Sequence, residues 1–180
     1  AGRADYRAEP VKLITLFQTA LENDIDIHPR ALRAARQSLS LIGPDLRNDP
    51  AANAAFVDIM TSERNPEKTL MAMNETGVFG RFIPDFGRVV AQMQYDMYHV
   101  YTVDEHTIRA LGILHRIEAG ELTEDHPLST VVVQEIQSRR VLYIAVMLHD
   151  IAKGRKGDHS ELGADIALTP EQKTKTLFTL

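Results

Sequence analysis

The sequence predicts an all-α protein. Apolar residues recur at spacings of three and four along most of the 180 residues, which is the period of a helix with one buried face. Alternation at the period of a strand is missing from the sequence, apart from a short β-branched run at 131–133. Hydrophobic residues make up 44% of the chain, which is enough for a core, so we expect the helices to form a bundle.

The first part of the chain, 1–73, is predicted to be a helical linker region. Apolar periodicity predicts four helices in it, over 11–21, 28–42, 52–61 and 66–73. Gly43-Pro44 and Asp49-Pro50 interrupt the pattern between them. We expect the first two helices to pack against each other as a hairpin.

The second part, 74–180, is predicted to carry the functional site. It opens with a segment from Gly77 to Gly87 that contains three glycines, one proline and three phenylalanines. This composition predicts an ordered, partly buried turn, although a plain helix connector is the simpler alternative. A new helix is predicted over 88–93.

A histidine is predicted in the first turns of the next helix. Thr102 and Glu105 have the spacing of a capping box, which would place His106 just inside the helix. An apolar stripe behind His106 would hold this helix against the bundle and fix the direction of the imidazole. The stripe consists of Ile108, Leu111, Leu114 and Ile117.

A second helix, from about Ser138 to Leu148, is apolar on nearly every face and is predicted to lie in the centre of the bundle. It ends in His149-Asp150. Burial of these polar groups is costly unless each finds a partner, and a metal cation would satisfy both. Adjacent helical side chains diverge by about 100°, so both can reach one ion only near a helix end.

The loop after this pair is basic and rich in glycine, from Lys153 to Gly157. It suits an approaching phosphate, or else it is a solvated run of charge. His159 follows near the start of another predicted helix.

Mixed ligation by histidine and carboxylate suits Mn²⁺, Fe²⁺, Zn²⁺ or Mg²⁺. Three of the remaining histidines are expected at the surface: His28, His115 and His126. His99 is expected at most to contact a metal ligand without binding the metal itself.

Composition narrows the chemistry. The absence of cysteine excludes disulfides, thiolate metal sites and cysteine nucleophiles. A net charge of −5 gives no overall attraction to nucleic acid or to anionic membranes. The sequence has no apolar stretch long enough for a membrane span and no signal peptide, so we expect a soluble, cytoplasmic protein without nucleic-acid or membrane partners.

Five motifs carry a resemblance to a known family. They are Asn74-Glu-Thr-Gly-Val-Phe-Gly-Arg-Phe-Ile-Pro-Asp-Phe-Gly87, Gln92-Met-Gln-Tyr-Asp96, His99-Val-Tyr-Thr-Val-Asp-Glu-His-Thr107, Leu148-His-Asp-Ile-Ala-Lys-Gly154 and Gly157-Asp-His-Ser-Glu-Leu-Gly-Ala164. A helical histidine followed by a His-Asp pair resembles the HD superfamily of metal-dependent phosphohydrolases. The full set resembles the HD domain of the GlnD family, bifunctional uridylyltransferase/uridylyl-removing enzymes of bacterial nitrogen sensing, over roughly residues 53–167.

The resemblance implies a function and a site. It implies hydrolysis of the UMP-tyrosine ester of the uridylylated PII signal protein, with UMP as a product. It implies His106, His149 and Asp150 as ligands of a divalent metal, with Mn²⁺ or Mg²⁺ favoured and Fe²⁺ or Zn²⁺ possible. Lys153 would contact the phosphate or stabilise its charge in the transition state, and His159 would bind a second metal or the phosphate.

Two features of the sequence depart from the family's pattern. Neither the nucleotidyltransferase motifs nor the ACT domains of the family are recognisable, so we expect a fragment that lacks UMP transfer and glutamine sensing. A final aspartate ligand is expected some tens of residues after the His-Asp pair, and Asp165 is too early for it. The alternatives are a stand-alone HD nucleotide phosphohydrolase, an inactive HD regulatory module, or a structural bundle in which the histidines do not meet.

Overall fold

The computed structural model describes residues 2–91 and 101–153. Within these ranges the chain forms eleven α-helices, one short 3-10 helix at Leu39–Leu41 and no strand, so the predicted all-α fold is confirmed. The helices are α1 (Arg3–Ala8), α2 (Lys12–Glu22), α3 (Pro29–Arg36), α4 (Pro44–Asn48), α5 (Pro50–Met60), α6 (Glu67–Thr76), α7 (Val78–Phe82), α8 (Pro84–Val89), α9 (Val103–Glu118), α10 (Pro127–Glu135) and α11 (Arg139–Leu148). No helix of the described part is long and apolar enough to cross a membrane.

Proline begins several of these helices. It stands at the first position of α3, α4, α5, α8 and α10, where its missing N–H is not needed and its fixed φ suits the helix. Side chains complete two of these starts: Asp49 accepts a hydrogen bond from Ala51 N at 2.8 Å, and His28 Nδ1 accepts one from Arg30 N at 3.1 Å. The Gly-Pro and Asp-Pro pairs therefore begin helices as well as separating them.

A single cluster of buried apolar side chains runs from Tyr6 to Ala152. In it α2 packs chiefly against α5, α6 packs against α7 and α9, and α9 packs against α11. The expected hairpin of the first two helices is wrong, because α2 has its main contacts with α5 and not with α3. The second helix is also shorter than predicted: it ends at Arg36, and the Ser38 hydroxyl donates to the Ala34 carbonyl at 2.8 Å as the chain turns into the 3-10 helix.

The segment from Gly77 to Gly87 was expected to be a turn, and it forms the two short helices α7 and α8 instead. Gly77, with φ of +81°, separates α6 from α7. Gly80 and Gly87 bring α7 and α8 into contact, because a Cβ atom on Gly87 would lie 2.4 Å from the Gly80 carbonyl oxygen. The segment predicted to be a turn is therefore a pair of short helices whose backbones touch at these two glycines.

Phenylalanines fill the space behind this contact. Phe79 and Phe86 stack with ring centroids 3.9 Å apart, and Phe56 of α5 meets Phe79 edge to face at 5.2 Å. The helix predicted over 88–93 is wrong in its described part, because α8 ends at Val89 and Ala91 has a φ of +59°.

The last two helices are largely exposed, and for α11 this differs from the prediction. None of the residues of α10 is buried. In α11 the buried residues are Tyr143, Ile144, Met147 and Leu148, whereas Val141 is 53% exposed. The expectation of a central helix is therefore wrong: α11 packs on the described part of the bundle through one face, although its sequence is apolar on nearly all of them.

Candidate metal centre

The helices α9 and α11 run antiparallel and bring the predicted ligands together. His106 lies in the first turn of α9, and His149 follows the last residue of α11. At the opposite ends of the same helices, Arg139 of α11 contacts Glu118 of α9. The antiparallel arrangement thus places the start of α9 beside the end of α11.

Two imidazoles face one carboxylate at this end. Asp150 Oδ2 lies 3.2 Å from His149 Nε2 and 3.8 Å from His106 Nε2. The imidazole rings are tilted by 56° with their centroids 5.6 Å apart. One ligand atom from each of the three residues lies within 4.8 Å of the others. The structural alternative in which His106 lies far from the His-Asp pair is therefore excluded.

The end of α11 explains how adjacent residues can face one point. The helix ends at Leu148, and the chain turns over the next residues, with hydrogen bonds from Ile151 N to the Leu148 carbonyl and from Lys153 N to the Asp150 carbonyl. His149 Nδ1 lies 2.5 Å from the Val146 carbonyl oxygen. Since a carbonyl only accepts, this contact places the proton on Nδ1 and leaves Nε2 free to act as a ligand.

Asp150 is buried, whereas both histidines are partly exposed. Only 10% of the Asp150 side chain is accessible, against 40% for each of the His106 and His149 side chains. The Oδ2 atom of Asp150 is buried and accepts no hydrogen bond of good geometry from the described residues. It does form an ion pair with Lys153 Nζ, which lies 2.7 Å away. A buried carboxylate oxygen with incomplete hydrogen bonding is a good ligand for a cation.

The three residues fit a divalent metal. Two neutral imidazole nitrogens and one carboxylate oxygen form a donor set that Mn²⁺, Fe²⁺, Zn²⁺ and Mg²⁺ all accept to differing degrees. The three residues that would hold such an ion offer ligand atoms within 4.8 Å of one another. Both histidine side chains remain partly exposed at this end of the helix pair.

A buried aspartate fixes the start of α9. Asp104 is 4% exposed, and it accepts hydrogen bonds from Asn74 Nδ2 at 2.6 Å and from Ala91 N at 3.1 Å. Asp104 therefore ties α9, two positions before His106, to α6 and to Ala91, which lies two residues after the end of α8. The predicted capping box is wrong in detail: α9 does begin after Thr102, but the Thr102 side chain makes no capping hydrogen bond.

The other predicted site residues divide into two groups. Lys153 lies at the centre, where its ammonium contacts the oxygen of Asp150 that faces both histidines. His159, His99 and Asp165 lie outside the described residues, as does the glycine-rich loop after Lys153.

One histidine was misjudged. His28 and His126 are exposed as expected, but His115 is only 7% exposed. Burial, together with the nearby Arg139 guanidinium, lowers the pKa of His115. The sequence did contain a signal for this, because His115 falls on the same helix face as Ile108 and Leu111, four residues after the latter.

A polar cluster at the far end of α9 and α11 was not predicted. Arg139 donates to Glu118 Oε1 at 2.5 Å, to Tyr143 Oη at 3.1 Å, to Ser62 O at 3.0 Å and to the Thr61 carbonyl. Tyr143 donates in turn to Glu118 Oε2 at 2.8 Å. Burial acts to raise the pKa of Glu118, but the hydrogen bonds from Arg139 and Tyr143 outweigh it and lower that pKa. We call Arg139, Glu118 and Tyr143 the arginine clamp.

Comparison with known proteins gives matches over nearly the whole chain. The family model described as "Uridylyltransferase GlnD third domain" matches residues 2–82, and the model described as "HD domain" matches residues 103–175. HD domains are metal-dependent, in agreement with the cluster of His106, His149 and Asp150. No solved structure matches the chain.

Three curated relatives share the name "Bifunctional uridylyltransferase/uridylyl-removing enzyme". The protein from Azospirillum brasilense is 66% identical over 90% of this chain and 17% of its own length. The protein from Novosphingobium aromaticivorans is 59% identical over 91% of this chain and 18% of its own length. The protein from Rhodospirillum rubrum is 56% identical over 100% of this chain and 20% of its own length. The chain thus spans about one fifth of the length of these relatives. It belongs to the GlnD family of bifunctional uridylyltransferase/uridylyl-removing enzymes and carries the third-domain region and the HD domain of that family.

Proposed function

We propose that this chain is the uridylyl-removing part of its family's enzyme, a metal-dependent phosphodiesterase that hydrolyses the bond between UMP and a tyrosine of the PII signal protein. The observation that supports it most is the convergence of His106, His149 and Asp150 within 4.8 Å at the ends of two antiparallel helices. The names of the relatives include uridylyl removal, and HD domains are metal-dependent.

Each ligand has a distinct part in the proposed site. His106 and His149 would offer their Nε2 atoms, and Asp150 its buried Oδ2 atom, to one divalent cation. Mn²⁺ or Mg²⁺ fits the proposed role best because both support phosphoryl chemistry, with Fe²⁺ or Zn²⁺ as further candidates for a site with two imidazoles. When bound, the cation would supply an activated water as the nucleophile and offset charge on the phosphate.

The residues of the chain would then handle the phosphate and the leaving group. Lys153 now lies on the oxygen of Asp150 that a cation would use, so cation binding would release its ammonium toward the phosphate. A tyrosine leaving group, with an ordinary pKa near 10, needs little help from a general acid. His159 remains a proposed ligand for the phosphate or a second metal. We also propose a division into a linker region at 1–73 and an HD region at 74–180, and a cytoplasmic location.

The test combines metal analysis with an assay of UMP release. Wild type, His149→Ala and Asp150→Ala would be purified, loaded with Mn²⁺ and incubated with uridylylated PII, and His126→Ala would serve as a control because His126 is exposed and outside the cluster. We expect the two site variants to lose bound metal and at least about a thousandfold in rate, since the ion supplies the nucleophile. Equal metal content and equal UMP release in all four proteins would contradict the proposal.

Two controls separate the alternatives. Hydrolysis of free nucleotides and small phosphodiesters, without release of UMP from PII, would indicate a general HD nucleotide phosphohydrolase. Binding of PII without any hydrolysis, in this chain and in a full-length relative assayed beside it, would indicate a regulatory module.

A further inference from the structure

Arg109 lies one turn after His106 on the same face of α9. Residues three apart on a helix are neighbours, with Cβ atoms about 5–6 Å apart, and helical side chains lean toward the N-terminus. The Arg109 guanidinium accordingly lies back over the start of the helix, 4.2 Å from the centre of the Tyr101 ring. Its Nη1 atom is 3.7 Å from Glu67 Oε1. A permanently charged group is thus held over the start of α9, one helical turn from the candidate ligand His106.

The hydrogen bonding of Arg109 differs from that of Arg139, whose guanidinium stabilises the fold. In the arginine clamp, Nε, Nη1 and Nη2 of Arg139 all donate hydrogen bonds within the protein. Arg109 donates none to the described residues: its pairing with Glu67 is too long for a hydrogen bond, and its buried Nε has no partner. Its side chain is nevertheless 42% exposed. The guanidinium therefore keeps donors that the described part of the chain does not use.

The surroundings of Arg109 orient it without occupying those donors. A cation–π contact with Tyr101 holds the guanidinium over the ring. Glu67 lies against α9 at Gly112, where a Cβ atom would come within 2.3 Å of Glu67 Oε2. The missing side chain at Gly112 thus makes room for the carboxylate that steers Arg109. A planar fork held in one orientation with free donors suits bidentate binding of a phosphate.

We propose that Arg109 binds the phosphate of the uridylyl group and holds it against the metal centre. The inference rests on the proposed function and deepens it, because it assigns a substrate contact that the metal ligands do not provide. Lys153 would approach the phosphate from the chain that follows α11, whereas Arg109 would approach it from α9. The role of Arg109 is to bind and orient the phosphate, and it takes no part in binding the cation.

The test uses calorimetry on the whole chain loaded with Mn²⁺. The three probes are UMP, inorganic phosphate and uridine. We expect Arg109→Gln to weaken binding of UMP and of phosphate by about 10- to 100-fold, the effect of a lost charge-assisted pair, and to leave Mn²⁺ affinity unchanged. Any binding of uridine should not change. Arg109→Lys should restore only part of the affinity, because an ammonium cannot form the fork.

Arg116→Gln is a matched control. Arg116 lies further along α9, is 44% exposed and pairs with Glu121 at 3.6 Å, so it reproduces the charge, the exposure and the loose partner of Arg109 away from the site. UMP affinity in Arg109→Gln equal to wild type, or reduced equally in Arg116→Gln, would overturn the inference and leave the proposed function intact. Wild type that binds Mn²⁺ but neither binds nor releases UMP would contradict both. Circular dichroism checks that each variant is folded.

Discussion

At the scale of single residues, Lys153 competes with the proposed cation for the carboxylate of Asp150. The ammonium lies 2.7 Å from the carboxylate oxygen that faces both histidines, so an incoming ion has to displace it. We therefore expect Lys153→Gln to bind Mn²⁺ as tightly as wild type or more tightly, while UMP release slows by about 10- to 1000-fold through loss of a charge at the phosphate. Calorimetry and the release assay measure the two effects separately.

An exposed pair of the same type provides the control for Lys153. Lys68 contacts Asp26 at 2.6 Å with both side chains more than four-fifths exposed, and it lies far along the chain from the metal centre. Lys68→Gln should change neither metal affinity nor rate. If Lys153→Gln lost metal affinity and activity in parallel, Lys153 would be supporting the site and not competing for it.

His115 gives the chain a pH dependence of stability. Its pKa is lowered in the folded state by burial and by Arg139, so the unfolded chain binds the proton more tightly. By linkage, the contribution of His115 to the free energy of unfolding should be at its maximum above the unfolded pKa of about 6.5. The free energy of unfolding should decrease as the pH falls below that value. Urea unfolding between pH 7.5 and 5.5 measures this. His115→Gln should flatten the dependence, whereas the exposed His126→Gln should not; identical slopes in all three proteins would contradict the prediction.

At the scale of elements, the contact between α7 and α8 depends on two glycines. A methyl group on Gly87 would lie 2.4 Å from a backbone oxygen of Gly80, and a backbone cannot turn aside as a side chain can. We expect Gly87→Ala to lower the free energy of unfolding by about 1–3 kcal/mol, the usual effect of overpacking. Gly43→Ala is the control, because a Cβ atom there meets nothing within 4 Å. A Gly87→Ala protein as stable as Gly43→Ala would show that the helices separate without loss.

The elements also show what a sequence can and cannot predict. Helix starts were predictable where proline, aspartate or serine marks them, as at Asp49 and Ser138, because capping is a local interaction. The helices α7 and α8 were not, because five or six residues are too few to display a helical period. The exposed face of α11 could not be predicted either, since apolar residues on all faces do not reveal which face the bundle covers.

At the scale of the whole molecule, α9 and α11 form an antiparallel pair with a polar cluster at each end. The candidate metal centre was predictable from motifs, because its residue types are rare on apolar helices and their order along the chain is informative. The arginine clamp at the other end was not, because Arg139 meets Glu118 across 21 positions and Thr61 across 78. Partners so distant in sequence come together only through the packing of the bundle.

The clamp links the helices that precede α6 to those that carry the candidate site. Arg139 binds backbone carbonyls of the segment after α5, and its own helix ends at the His-Asp pair. Removing one member of a partly buried, hydrogen-bonded ion pair leaves its partners unsatisfied. Arg139→Met should therefore lower the free energy of unfolding by about 1–3 kcal/mol, and Tyr143→Phe by about 1 kcal/mol. Arg116→Met, which removes a loose exposed pair, should have little effect.

The same variants test whether the two ends of the helix pair act independently. Between the clamp and the metal centre, the buried side chains of Ile108, Leu111, Ile144 and Met147 belong to the common core. Because this apolar contact holds α9 against α11 without the clamp, Mn²⁺ affinity in Arg139→Met should stay within about threefold of wild type even as stability falls. Urea unfolding and calorimetry on the same samples measure both. A tenfold or greater loss of Mn²⁺ affinity in a folded Arg139→Met protein would instead show that the clamp sets the spacing of His106 from Asp150.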